Sequence, residues 1–187
     1  MEKHLLVAKL DDVVRRIHEA GGRVVPKVGW FWTTLHYVVM VVTFGQNRSF
    51  LTDYYTTIGG VVGYPTEGSS RSLAERIAVL EHELIHIKQC ARLGFGKVWI
   101  GFPIYMVLYL LLPLPIGLAY FRWRYEREAY AHGINVRVAI EPHRYNGLIE
   151  EAVTELTTGA YGWTWPFKGT VRAYFHRHCA NPKKAAA

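Results

Sequence analysis

Cysteine is scarce in this chain. The two present, Cys90 and Cys179, do not make a disulfide framework, which suits a reducing compartment. A secretory signal is also missing: Glu2-Lys3-His4 leads into an amphipathic pattern without an apolar h-region, so the expected location is cytoplasmic or peripheral to a membrane. No internal repeat and no low-complexity linker divides the sequence, and 187 residues suffice for one domain with a real core but not for two, so residues 1–187 are expected to form a single domain. Basic motifs are lacking too. The net charge is +7, but the cations are scattered except at Arg122, Arg124 and Arg127 and in a tail with Arg177, Lys183 and Lys184. No specific nucleic-acid partner is expected from that pattern, and anionic lipid is the better match for the charge if an apolar segment of the chain meets a membrane. Apolar residues are abundant, at 50%, with 14% aromatic, which excludes a disordered chain.

Against that background the segment His82-Glu83-Leu84-Ile85-His86 carries the chemistry. It reads H-E-x-x-H. On a helix, residues four apart share a face, so the two imidazoles can chelate one zinc ion while the carboxylate acts on a water beside it. The string arises by chance in a chain of this length about one time in a hundred. Ordinary surface histidines are therefore the weaker reading.

The flanks supply the helix. Ser72-Leu73-Ala74-Glu75 has the form of a capping box. Leu73, Ile77, Leu80 and Leu84 form one stripe, and Arg92-Leu93-Gly94 makes a basic last turn closed by a permissive residue. The expected helix runs over 73–93, with His82, His86 and Gln89 on one face. Its many charges mark a helix lying on a core, which argues against an intramembrane protease. Gln89 reads as a hydrogen-bonding residue rather than a ligand. Cys90 lies one turn too far along to join both histidines on one ion. The metzincin extension with Gly and a third His is absent after His86.

A catalytic zinc takes three protein ligands and one open position. Candidates follow at Glu126 and Glu128, in an expected helix over about 117–140 that stops before Pro142. Two acids two apart point in different directions, so one of them can reach the metal. Arg122, Arg124 and Arg127 offer the alternative of a solvated charged face.

The H-E-x-x-H helix followed by Glu126-Arg127-Glu128-Ala129-Tyr130 resembles the gluzincin metallopeptidases. In that clan a second helix supplies a Glu ligand, and the form E-x-x-A-D marks membrane-associated prenyl-protein peptidases and many small bacterial domains. The resemblance implies Glu126 as third ligand, with Glu128 as fallback, across 126 − 86 = 40 positions. It departs from the pattern at Tyr130, where the family usually has an Asp bonded to a ligand His; the Tyr130 hydroxyl is left to serve there. Peptide deformylases, which need a Cys upstream of the motif, are excluded because none precedes Cys90.

These expectations describe a zinc metalloendopeptidase acting on a peptide or protein substrate. Zinc brings the pKa of its water to about 7 and polarises the scissile carbonyl. Glu83 accepts the water proton and passes it to the leaving amine. Tyr161 is the candidate oxyanion stabiliser, with an aromatic packing cluster as an equal alternative. His176 and His178 compete for that role but read as surface residues of a basic tail. A zinc-holding structural or membrane-associated interaction protein without peptidase activity is the alternative to an enzyme.

The expected fold class is α+β, a mainly helical, minimal zincin-like domain with a small antiparallel sheet before the active-site helix. Residues 2–20 read as an amphipathic helix. The Val-rich run Leu35 to Phe44 reads as a buried strand, and Tyr54 to Pro65 as a second strand broken by glycines, or as a hairpin. Resemblance to gluzincins implies that the second strand binds extended peptide by strand addition. Val98 to Phe121, 24 uncharged residues between cations, is inserted between the two ligand helices. Pro103, Pro113 and Pro115 argue against one straight span. The readings left are a hairpin or core helix over about 104–112, or a peripheral contact with a membrane surface through 98–121, its aromatics at the interface. A single crossing would put Glu126 and the histidines on opposite sides.

Overall fold

The structure is a computed structural model that describes residues 2–42, 45, 48–66, 71–111, 118–158 and 164–182. It is α+β and mainly helical. Helix α1 (Lys3–Glu19) leads to strand β1 (Arg23–Pro26) and helix α2 (Trp30–Val42); β2 (Thr56–Ile58) and β3 (Val61–Tyr64) follow. The remaining helices are α3 (Leu73–Leu93), α4 (Val98–Leu111), α5 (Tyr120–Ile140), α6 (Tyr145–Thr157) and α7 (Lys168–His178), with a 3-10 turn at Pro142–Arg144.

Helix α3 occupies the expected 73–93. The Glu75 amide donates to Ser72 Oγ at 3.3 Å, and the Ser72 amide donates to Glu75 Oε2 at 2.8 Å, so two otherwise unpartnered donors are satisfied reciprocally. Gly94 closes the helix for a reason other than backbone freedom. Its φ is −105°, open to any residue, but a Cβ there would lie 2.1 Å from the Lys97 carbonyl oxygen. A Cβ on Gly101 would lie 1.7 Å from the Cys90 carbonyl oxygen. The start of α4 thus crosses the end of α3 backbone against backbone. Gly101→Ala is expected to destabilise the fold by about 3 kcal/mol or more, read as a fall in the urea midpoint, because neither main chain can yield.

The sheet has the order β1-β3-β2. The single strand broken by glycines expected over 54–65 is corrected to its alternative, an antiparallel β2–β3 hairpin turning at Gly59-Gly60, both with φ above +50°. Parallel β1, which the sequence reading lacked, makes the sheet mixed. Thr57 pairs with Val62 and Thr56 with Gly63. Val62 is fully buried in one core with Leu84 and Ile87 of α3 and with residues of α1 and α4. Side chains alternate across a strand, so Gly63 points to the opposite face. There Trp32 of α2 seats its ring against the glycine, where a Cβ would be 2.4 Å from the ring. Helix α2 therefore lies on the sheet face opposite α3.

The strand expected over Leu35 to Phe44 is corrected: Trp30–Val42 is helical. Trp32 is buried and Leu35, His36, Val39 and Met40 are half-buried, a helical spacing that the uniformly apolar composition hides. The segment expected as a hairpin or core helix is helical from Val98, earlier than about 104, and Pro103 sits just past its first turn, where it removes one intrahelical bond. Pro113 and Pro115 lie outside the described residues. No single described helix is long and apolar enough to cross a membrane.

A second core joins α5, α6 and α7 around Trp123, Ile149, Leu156, Val171 and Phe175. Helix α3 packs along α5 between the two cores. Gly133 makes this close, since a Cβ there would meet the Ala78 carbonyl oxygen at 3.1 Å. Glu126 lies two turns before Gly133, on the same stripe of α5. Arg137, one turn beyond Gly133, reaches Glu75 at 3.3 Å. This antiparallel seam fixes which residue of α5 faces which turn of α3.

Candidate metal centre

The seam brings Glu126 to the two histidines. His82 Nε2 and His86 Nε2 are 3.0 Å apart, Glu126 Oε2 is 3.4 Å from the first, and Glu126 Oε1 is 3.5 Å from the second. Four ligands about 2.0–2.1 Å from a tetrahedral ion stand about 3.3 Å from one another. Three donors at that spacing could hold a divalent metal. Glu126 Oε2 supplies a second sign: it is buried and has no hydrogen-bond partner among the described residues. An orphaned carboxylate oxygen is costly unless a cation sits by it.

The surrounding hydrogen bonds orient the donors. Gln89 Nε2 donates to the Tyr125 carbonyl and to Glu128 Oε2, both at 3.0 Å. Both partners are acceptors, so the amide oxygen must face His86 Nδ1, 2.9 Å away. That nitrogen therefore carries the proton and donates, and Nε2 keeps its lone pair towards the centre. The Tyr105 hydroxyl also lies 3.0 Å from His86 Nδ1. The Tyr109 hydroxyl donates to Glu126 Oε1 at 2.5 Å. Tyr130 meets His82 with its ring, edge to face at 4.7 Å between centres, in place of the hydroxyl contact expected there. Gln89 has the hydrogen-bonding role expected of it. Tyr105 and Tyr109 were missed. Their spacing of four matches that of the histidines, but in an uncharged helix it reads equally well as core.

Glu128 points elsewhere, to Gln89 and to Arg92, whose Nη2 donates at 2.6 Å. Arg127 lies over the rings of Trp123 and Tyr174. Cys90 is a buried thiol pushed up to about 12 by burial, and it is not in the cluster. His176 lies beside the Tyr145 hydroxyl and His178 beside the Tyr174 carbonyl; both are exposed and outside the cluster. Tyr161 falls outside the described residues.

Glu83 is not one of the three clustered donors. It is buried at 6% exposure and accepts a hydrogen bond from Thr57 Oγ1 at 2.7 Å. Thr57 belongs to β2, one of the two edge strands of the described sheet, and no sequence motif announced it. A cleft of about 420 Å³ opens onto His82 and Glu83, with Tyr54, Tyr55, Arg71 and Tyr130 in its walls. Lys27 braces the rim. Its buried ammonium donates to the Phe50 and Tyr54 carbonyls and to Thr56 Oγ1 at 2.7–2.8 Å, tying the 50–54 segment to β2. Burial pulls the Lys27 ammonium down to about 7 against the pull of Glu83.

The cluster demands positive charge. Burial opposes ionisation of both Glu126 and His86. Even so, the two imidazoles hold Glu126 well below the usual carboxylate range, and Glu126 lifts His86 to about 9. Without metal, a proton on His86 supplies the charge. Its folded pKa lies above the unfolded value of about 6.5, so this stabilisation is complete below pH 6.5 and is lost as pH rises through 9. Glu126 has the opposite sign: its contribution is present above its unfolded value near 4.5 and is lost as pH falls. The urea-midpoint difference between chelator-treated wild type and His86→Gln is expected to be largest between about pH 5 and 6.5 and to shrink towards pH 9; the difference isolates His86 from Lys27, whose burial penalty is relieved over the same rise in pH.

Comparison of the chain with models of known families, with curated proteins and with solved structures finds no match.

Proposed function

We propose that this chain is a zinc-dependent metalloendopeptidase. The observation that carries the reading is the convergence of His82, His86 and Glu126 beside a cleft that also receives Glu83. Two neutral imidazoles and a carboxylate are a donor set that zinc takes in catalytic sites, where a fourth position stays open. Zinc bound there would supply Lewis-acid polarisation of the scissile carbonyl and a water with its pKa brought to about 7.

The chain's own residues account for the rest. Glu83, one residue from a ligand but turned into the cleft, takes the proton of the attacking water and delivers it to the leaving amine. Thr57 holds the Glu83 carboxylate in that direction. Gln89 and Tyr105 keep the proton of His86 on Nδ1, and Tyr109 steadies Glu126. Strand β2 has β3 on one side and no described strand on the other. An extended peptide adding to that edge would run past Thr57 and so past Glu83.

The test is to incubate zinc-loaded protein with a broad peptide library and identify new termini by mass spectrometry. Amide cleavage that chelator stops and zinc restores is the expected result. Protein that carries stoichiometric zinc and cleaves nothing would instead be a metal-holding structural or interaction protein. Protein that binds no metal would refute both.

A further inference from the structure

Helix α2 turns an apolar face to solvent. Successive residues are about 100° apart around a helix, and the exposed positions of α2 fall on one arc of about 160°: Thr33, Tyr37, Trp30, Val41, Thr34, Val38 and Phe31. Trp30 is 81% exposed, Val41 76% and Tyr37 63%. The opposite side of the helix, led by Trp32, is seated on the sheet. Burying Trp32 therefore explains why α2 lies where it does but not why its outer face is apolar.

We propose that this face docks on the surface of an anionic lipid bilayer, with α2 lying in the interface. Thirteen residues make a helix of about 20 Å, short of the roughly 30 Å of a hydrocarbon core, so α2 rests in the membrane surface and does not cross. The choice of lipid over protein follows from the chemistry of the arc. A protein interface carries about one hydrogen bond per 100–200 Å², and this arc offers only the Trp30 indole N–H and the hydroxyls of Thr33, Thr34 and Tyr37, of which Thr33 already donates to the Gly29 carbonyl. The sequence is uncharged for 48 − 27 − 1 = 20 positions between Lys27 and Arg48, and the chain as a whole has a net charge of +7. Trp30 and Phe31 stand at the N-terminal end of the helix and Val38 and Val41 towards its C-terminal end, so aromatics and aliphatics share one face, as in helices that sit at the headgroup boundary. Helix α4 repeats the pattern: Trp99, Ile104, Val107 and Leu110 are exposed, within the uncharged stretch that Lys97, Arg122 and Arg124 flank. Docking through α2 uses the sheet face opposite α3 and leaves the cleft at His82 and Glu83 uncovered.

Co-sedimentation of the zinc-loaded full chain with vesicles tests this without needing turnover. Binding is expected to phosphatidylcholine vesicles containing about 30% phosphatidylglycerol, weaker binding to pure phosphatidylcholine, and release at about 0.5 M salt. Trp30→Ser/Val38→Ser/Val41→Ser is expected to weaken vesicle binding at least tenfold with an unchanged thermal midpoint, because these side chains are exposed. Wild-type protein that stays in the supernatant with both vesicles would overturn the proposal, and so would a triple variant that binds as tightly as wild type. A wild-type dimer that the triple variant lacks, in the absence of vesicle binding, would assign the face to a second copy instead.

Discussion

Glu83→Gln is expected to lower peptide turnover by about 10²–10⁴-fold, the range for loss of a general acid–base, while zinc content and the melting midpoint stay at wild-type values. The amide has the shape of the carboxylate, and its oxygen still accepts from Thr57 Oγ1, which lies 2.7 Å from Glu83 Oε2. The cleft wall is therefore kept and only the basicity is removed. Glu83 is not among the clustered donors, which are His82, His86 and Glu126, so the metal should remain. Peptide hydrolysis under saturating substrate and metal analysis of the same preparation read the two quantities together. Full turnover in the variant would remove Glu83 from the mechanism. Loss of zinc would make it a ligand.

The second large effect is expected at Glu126. Glu126→Ala should weaken zinc binding by more than about 100-fold, beyond what loss of an outer hydrogen bond costs, because it removes one of three donors and the negative charge of the cluster. Glu126→Gln, which fills the same buried space, guards against a trivial loss of folding and should weaken binding strongly as well. Glu128→Ala is expected to cost no more than about tenfold, through a less firmly held Gln89. Glu128 is half-exposed and engaged with Arg92 and Gln89. Competition with a zinc chelator ranks the three variants. If Glu128→Ala strips the metal and Glu126→Ala does not, the third donor has been assigned to the wrong acid.

Much of the candidate site was legible because its information is local. The capping box at Ser72 and Glu75 is spelled out over four residues, and the spacing of His82 and His86 becomes a shared face once the segment is helical. Glu126 was narrower ground. Two acids two apart leave a choice that local sequence cannot make, and a family resemblance made it here. The geometric basis lies at Gly133, whose missing side chain lets α5 approach the Ala78 carbonyl and so sets the register that points Glu126 inward and Glu128 towards Arg92.

Helix α2 was misread for a definite reason. A strand or helix is recognised by contrast between a buried and an exposed face, and α2 is apolar on both. Its valines suggest a strand by propensity, and a continuous apolar run gives no period to contradict them. The same property makes its outer face the candidate membrane contact. Strand β1 was missed because four residues joined by long-range parallel pairing leave no local signal.

The sequence by itself determined the α3 helix, its capping, the two imidazoles on one face and the acid between them, since each follows from residues a turn apart. The choice of Glu126 over Glu128 came from a resemblance and not from local residues; tertiary structure alone decided that Thr57 holds Glu83, that Tyr105 and Tyr109 stand behind His86 and Glu126, and that α2 shows its apolar face outward. Each of these, like the cluster itself, joins residues 17 to 44 positions apart or depends on which side of the sheet a helix takes. Such relations are set by backbone approach at Gly63, Gly101 and Gly133, where what matters is the absence of a side chain, and an absence has no periodicity to read.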